Sequence, residues 1–194
     1  MLIERFQRGN NQAMDTLIQR HQARAYQYAF RLTRDQDQAA DVVAEAFVRV
    51  YRGANTFKGQ SAFTTWLYRI LTNCYLDIRK KASSRPSVSL EETLQTDEGL
   101  LGRQFESEAP SPHEEAERSE RERSIQYAVS ELPEYQKAMV MMFHVEMLSY
   151  EDIAEVLDLP IGTVKSRLHR ARTGLREALE GEKVLFNAPY AMSA

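Results

Sequence analysis

Apolar residues recur along most of this chain at the three- and four-residue intervals of an amphipathic helix. Between Asn11 and Thr33 they fall at positions 14, 17, 18, 25, 28, 29 and 32. Asp35, with Gln38 three residues on, predicts a capping box that opens a second helix running to about Tyr51. Its Val42, Val43, Ala46, Phe47 and Val50 share an inward face, leaving Asp41, Glu45, Val48, Arg49 and Arg52 outward. A break from Gly53 to Gly59 and a cap at Ser61 predict a third helix to about Lys81, striped at 63, 67, 70, 71, 74 and 78. From Ala82 to Pro112 the period is lost among Ser, Pro, Glu and Gly, although Leu100, Leu101 and Phe105 could dock on something; this reads as a partly disordered linker. Helical pattern returns near Glu114, stops at Pro133 and resumes from Glu134 to Leu148, with Tyr135, Ala138, Met139, Met142 and Val145 on one face. Ser149 and Asp152 predict a capping box for a short helix to about Asp158, with Ile153, Ala154 and Leu157 inward. The stretch from Leu159 to Gly162 reads as a tight turn, and the last helix runs from Thr163 to about Leu179. The expected fold is all-α: two small helical domains, 1–82 and 114–180, joined by an acidic flexible linker over 83–113, with a tail, 181–194, of no evident role.

Composition agrees. The 194 residues include only 8 Gly and 6 Pro, too few for a turn-rich β fold. One cysteine, Cys74, excludes an internal disulfide framework and cannot anchor a cysteine zinc site alone. The longest apolar run, Ala138 to Phe143, is far short of a membrane span, and MLIERFQRGN carries charges where a signal peptide needs its apolar stretch. A cytoplasmic protein with no membrane insertion is expected. The net charge of −3 hides strong segregation. Residues 58–85 hold six bases against Asp77, and 163–176 hold five bases and no acid, whereas 87–122 hold eleven acids and three arginines. The sign changes could belong merely to solvated faces and a solvated linker, or they could mark two polyanion-binding segments.

The stretch YEDIAEVLDLPIGTVKSRLHRAR (150–172) decides between these. A short helix, a turn containing Gly and a longer helix give helix-turn-helix geometry. At 100° per residue, Val164, Leu168, Ala171 and Leu175 must pack inward, while Ser166, His169, Arg170 and Thr173 point away and Lys165 sits at the shoulder. Arg167 and Arg172 flank the core stripe. Donors facing outward near the helix start, with cations at the sides for phosphates, are what a major-groove reader needs. Arg170 could make a bidentate contact to guanine.

These residues resemble region 4 of the extracytoplasmic-function (ECF, group 4) bacterial sigma factors, members of the sigma-70 family. DVVAEAFVRVY (41–51) resembles the family's region 2.2, and FKGQSAFTTWLYRILTNCYLDIRKK (57–81) resembles regions 2.3 and 2.4. The resemblance covers most of the chain outside the linker. It implies a sigma factor that directs promoter-specific transcription initiation, with core RNA polymerase (the β′ clamp helices and β flap) and promoter DNA as partners. An anti-sigma factor, at the membrane or not, is implied as controller. Asp41, Glu45, Val48, Arg49 and Arg52 would then dock on the clamp helices. Lys58, Ser61, Ala62, Phe63, Trp66, Arg69, Asn73, Arg79 and Lys80 would recognise and melt the −10 element. Thr163, Lys165, Ser166, Arg167, His169, Arg170, Arg172 and Thr173 would read the −35 element. From their spacing alone Trp66 and Phe63 read as core residues sooner than as base-stacking ones, and the acidic linker as either an inert spacer or a segment threading a basic polymerase channel.

Nothing resembles a catalytic centre. His21, His113, His144 and His169 are scattered without metal-ligand spacing, no Gly-rich phosphate loop occurs, and Cys74 falls on the buried face of its helix. No cofactor and no metal are expected. The competing reading is a helix-turn-helix regulator that binds DNA without joining polymerase. It would require a sensor pocket or phosphoacceptor in the first module, where the sequence offers a charged face and a basic helix.

Overall fold

The computed structural model describes residues 2–83 and 123–179, and within these every regular element is helical. The first body contains α1 (Leu2–Gln7), α2 (Gln12–Thr33), α3 (Gln36–Gly53), a 3-10 turn (Ala54–Thr56) and α4 (Phe63–Ser83). The second contains α5 (123–130), α6 (Glu134–His144), α7 (Tyr150–Leu157) and α8 (Ile161–Leu179). The residues of the predicted linker from 84 onward, including Leu100, Leu101 and Phe105, and the C-terminal tail lie outside the described residues.

Helices α2, α3 and α4 close around Tyr28, which is fully buried and edge-on to Tyr68, their ring centroids 4.9 Å apart. A buried hydroxyl needs a partner, and Tyr28 Oη finds Thr72 Oγ1 at 2.8 Å. Val42, Ala46 and Val50 of α3 face this core as their spacing requires. The N-terminal helix α1 is an element the periodicity does not reveal, because it is one and a half turns long. Ile3 and Phe6 are its anchors, Phe6 packing on Tyr51 at 5.4 Å. Gln7 Nε2 donates to the carbonyls of Ala54 and Phe57 and ties α1 to the α3–α4 connection.

Several boundaries depart from the sequence expectation. The Asp35 carboxylate does accept from the Gln38 amide at 2.7 Å, but the Asp35 amide turns to Thr33 Oγ1 rather than to a reciprocal Gln38 cap. Helix α4 begins at Phe63, with the Ala62 carbonyl accepting its first bond, so Ser61 stands outside the cap position. Helix α6 stops at His144 instead of Leu148. The amides of Val145 and Glu146 both bond to the Met141 carbonyl, and Leu148 N–H reaches Met142, a widened end that leaves Met147 at φ +57°. Tyr135 and Val145, placed on the inward face by the periodicity, are exposed, while Met139 and Met142 are fully buried. Helix α8 starts two residues early, at Ile161, because the Pro160 carbonyl accepts from both Thr163 and Val164 and takes Gly162 into the first turn.

The predicted capping box of α7 is complete. The Asp152 amide donates to Ser149 Oγ at 3.0 Å, and the Ser149 amide donates to Asp152 Oδ2. Asp158 ends the helix in the left-handed region at φ +53°, a conformation Asp tolerates. The second body packs Met139, Met142, Ile153, Val156, Val164 and Leu168 into one dry layer. Replacing Ser149 by Ala should therefore lower stability by about 1 kcal/mol, and Leu168→Ala by about 3 kcal/mol. Chemical denaturation should resolve the two as midpoint shifts of unequal size.

Candidate nucleic-acid interface

Helices α7 and α8 form the predicted helix-turn-helix. Val164, Leu168, Ala171 and Leu175 are all buried, and Leu179 extends that stripe by a turn. Lys165, Ser166, His169, Arg170 and Thr173 are exposed, while Thr163, Arg167 and Arg172 are half-buried at the margins. Two of the outward hydroxyls spend their protons on their own helix: Ser166 Oγ donates to the Thr163 carbonyl and Thr173 Oγ1 to that of His169. Both therefore present lone pairs to whatever lies against α8. Lys165 Nζ lies 5.7 Å above the Tyr150 ring. Arg172 is held more firmly, stacked on Phe143 at 4.6 Å with Nε donating to His144 Nε2 at 3.2 Å. It bolts α8 to α6, whereas Arg170 reaches outward.

On α3, Asp41, Glu45, Val48 and Arg52 are exposed, with Tyr51 beside them, a residue the sequence reading did not include. Arg49 is clasped, Nε donating to Glu45 at 2.8 Å and Nη1 to Asp77 of α4 at 3.1 Å. This fixes the charged face of α3 to the basic helix.

The α4 residues are less uniform. Lys58, Ala62, Asn73, Arg79 and Lys80 are exposed, and Ser61 and Arg69 half-buried. Phe63, only 8% exposed, packs on His21 at 4.9 Å. Trp66 is half-buried between Phe57 and Phe63, and Gly53 leaves room for its ring: a Cβ there would come within 3.2 Å of the indole. The Cys74 thiol, pushed up to about 11 by burial, has no nucleophilic character at neutral pH.

What the sequence reading missed is the contact between the two bodies. Helix α4 has a second buried stripe, Thr65, Tyr68, Thr72 and Tyr75, which carries hydroxyls where the first carries hydrocarbon. Thr72 turns to Tyr28, and the other three meet acids of the second body. Thr65 Oγ1 donates to Asp152 at 3.1 Å, Tyr68 Oη to Glu146 and Tyr75 Oη to Glu134. Glu134 also accepts from Arg79 Nε at 2.8 Å and pairs with Lys137 at 3.3 Å. Glu146 is 5% exposed and further takes Arg24 Nε at 2.9 Å and Arg31 Nη1 at 3.2 Å, both from α2. A Thr/Tyr row at helical spacing is the signal that could have found this face.

A two-body helical protein with a helix-turn-helix, a basic face on its second helix and a charged face on α3 has the form of a DNA-binding protein. The Sigma-70 region 2 family model matches residues 17–85 and the Sigma-70 region 4 model residues 122–175. The chain is 37% identical to the RNA polymerase sigma-H factor of Pseudomonas aeruginosa over 92% of each protein. It is 36% identical to the ECF RNA polymerase sigma-E factor of Haemophilus influenzae, over 92% of this chain and 94% of that one. To the ECF factor SigW of Bacillus subtilis it is 32% identical over 91% and 94%. The chain belongs to the sigma-70 family of RNA polymerase sigma factors, in its extracytoplasmic-function group. The same fold occurs in CnrH, solved with the cytosolic domain of CnrY (TM-score 0.65, 22% identity, 93% of this chain and 96% of that). It occurs also in RpoE of Bartonella quintana, solved with the anti-sigma factor NepR (TM-score 0.59, 24% identity, 87% and 98%). Among the described residues no helix is long and apolar enough to cross a membrane.

His21 and His144 both have pKa values held below the ordinary 6.5, by burial first and by neighbouring arginines second: Arg20 and Arg24 for His21, Arg172 for His144. The unfolded chain binds protons at these sites before the folded one does, so stability should fall as pH drops below about 6.5. Denaturation midpoints should be lower at pH 5.5 than at pH 7.5, and a His21→Gln/His144→Gln double variant should show a smaller difference.

Proposed function

We propose that this chain is the promoter-recognising subunit of a bacterial RNA polymerase holoenzyme, with its three candidate faces dividing the work. The observation that carries the assignment is the outward set of α8, where Ser166, His169 and Arg170 stand exposed above a buried Val164–Leu168–Ala171 stripe. With Thr163, Lys165, Arg167, Arg172 and Thr173 around it, this surface reads the −35 element in the major groove. Arg170 supplies a bidentate donor for guanine, and the marginal cations contact phosphates.

Helix α4 and the loop before it, through Lys58, Ser61, Ala62, Arg69, Asn73, Arg79 and Lys80, hold the −10 element as it melts. Trp66 and Phe63 shape the floor of that surface from within the core. Asp41, Glu45, Val48, Arg49 and Arg52 of α3 dock on the β′ clamp helices, and the second body sits on the β flap. The chain moves no bonds itself. It stabilises one position of polymerase on DNA, and linking two weak DNA contacts in one chain raises the effective concentration of each. Control by an anti-sigma factor suits this class, as RpoE of Bartonella quintana, of the same fold, was captured with the anti-sigma factor NepR. On this reading the chain works in the cytoplasm, on the nucleoid when in holoenzyme.

The test is transcription by core bacterial RNA polymerase on a promoter library, with the transcript starts sequenced. Addition of this chain should produce starts that share one two-element motif. Arg170→Ala should cost about 1–3 kcal/mol of discrimination at one −35 position. Val48→Asp should abolish starts while duplex binding by α8 is retained. Polymerase silence with tight duplex binding by the chain alone would instead mark it as an independent regulator.

A further inference from the structure

We propose that Phe143 and Tyr150 are positioning residues for the −35 surface: their stacked rings hold Lys165 and Arg172 in place for DNA phosphates while leaving both cations unneutralised. The inference rests on the reading of α8 as the −35 reader and adds to it two residues that themselves touch no DNA. The rings lie 4.9 Å apart and 18° from parallel, Phe143 coming from α6 and Tyr150 from the first residue of α7. Lys165 Nζ stands 5.7 Å over Tyr150, and the Arg172 guanidinium 4.6 Å over Phe143. One run of ring contacts thus joins α6, α7 and α8 and ends on two cations of the same helix. Those cations are seven residues apart, so they share one edge of α8 at a separation of about 10 Å along its axis.

The way they are held sets them apart from other cations of the chain. Arg24 and Arg31 lie on Glu146, Arg49 on Glu45 and Asp77, and Arg79 on Glu134, each fixed by a carboxylate that cancels much of its charge. Among the described residues no carboxylate meets Lys165 or Arg172. An aromatic face attracts a cation through its quadrupole and removes none of its charge. Arg172 is fixed further by Nε, which donates to His144 Nε2 at 3.2 Å, while its Nη groups have no acceptor among the described residues. His144 accepts as a neutral imidazole, its pKa lowered by burial and by Arg172. A guanidinium oriented at one nitrogen and open at the other two suits a phosphate. Long side chains lose rotamer freedom when they grip a ligand, and here much of that freedom is restricted before DNA arrives. The ring pair therefore acts on affinity through Lys165 and Arg172, and leaves base choice to Arg170.

The test uses holoenzyme assembled from the full chain and core bacterial RNA polymerase, titrated against a fluorescent duplex carrying the −35 element found with the promoter library. Phe143→Leu and Tyr150→Leu should each weaken binding about threefold, and together about tenfold, as the cost of ordering two long side chains returns. Tyr150→Phe, which keeps a ring for Lys165, should restore the affinity that Tyr150→Leu loses. The slope of log affinity against log salt should stay as in wild type for the ring variants, and shrink by about 2 for Lys165→Ala/Arg172→Ala. In that double-alanine background the ring substitutions should cost nothing further, because their effect runs through those two side chains. A ring effect of equal size in both backgrounds marks packing alone and overturns the proposal, as does wild-type affinity in the double-leucine variant. Should Phe143→Leu lose helicity, Tyr150→Leu compared between the wild-type and Lys165→Ala backgrounds decides. If Lys165→Ala/Arg172→Ala binds as tightly as wild type, the −35 reading of these cations fails and the proposal falls with it, a result distinct from failure of the ring substitutions alone.

Discussion

A carboxylate taken out of water is costly unless it is met by charge and by enough donors to replace its hydration. Glu146 satisfies that condition only while the two bodies are together, because the side chains that donate to its carboxylate, Arg24, Arg31 and Tyr68, come from α2 and α4. The burial of this carboxylate therefore depends on the closed arrangement. Each body has its own dry layer, around Tyr28 in the first and around Met139 and Ile153 in the second. Where the bodies meet, hydroxyls and guanidinium groups of the first also find acids of the second.

The same division appears within the helix-turn-helix. Its rigidity comes from the reciprocal Ser149–Asp152 cap, the left-handed Asp158 and the stack of Arg172 on Phe143, all set away from the outward face. Arg170 and His169 are thereby held on a scaffold without being part of it. Asp152 has a place in both systems, since Oδ2 closes the cap while Oδ1 receives Thr65 across the seam.

Helical periodicity made the architecture and the α8 faces legible, because burial in each body is decided by a stripe of hydrocarbon that repeats every three or four residues. It failed where burial is polar. The stripe at 63, 67, 71 and 74 of α4 is plain in the sequence, yet Thr65, Tyr68, Thr72 and Tyr75 are buried just as deeply and read as amphipathic surface. Glu146 looks like a solvated loop acid until its partners, 78 to 122 residues away, are brought to it. Local turn chemistry explains the smaller departures. The double acceptance by the Pro160 carbonyl and the early stop of α6 depend on backbone geometry that residue type alone does not dictate.

The Arg49 clasp has a geometric consequence. With Arg49 bridging Glu45 and Asp77, and the Trp66 ring lodged against Gly53, helices α3 and α4 form one stiff bracket. Helix α4, at 21 residues, is about 30 Å long. A tilt of roughly 5° where α3 is seated would swing the far end of α4 by roughly 2.5 Å, close to the ~3.4 Å rise of one base step. Under the proposed function, whatever holds α3 is a sighting mount for α4, and the tolerance on that mounting would separate one register on the template from the next.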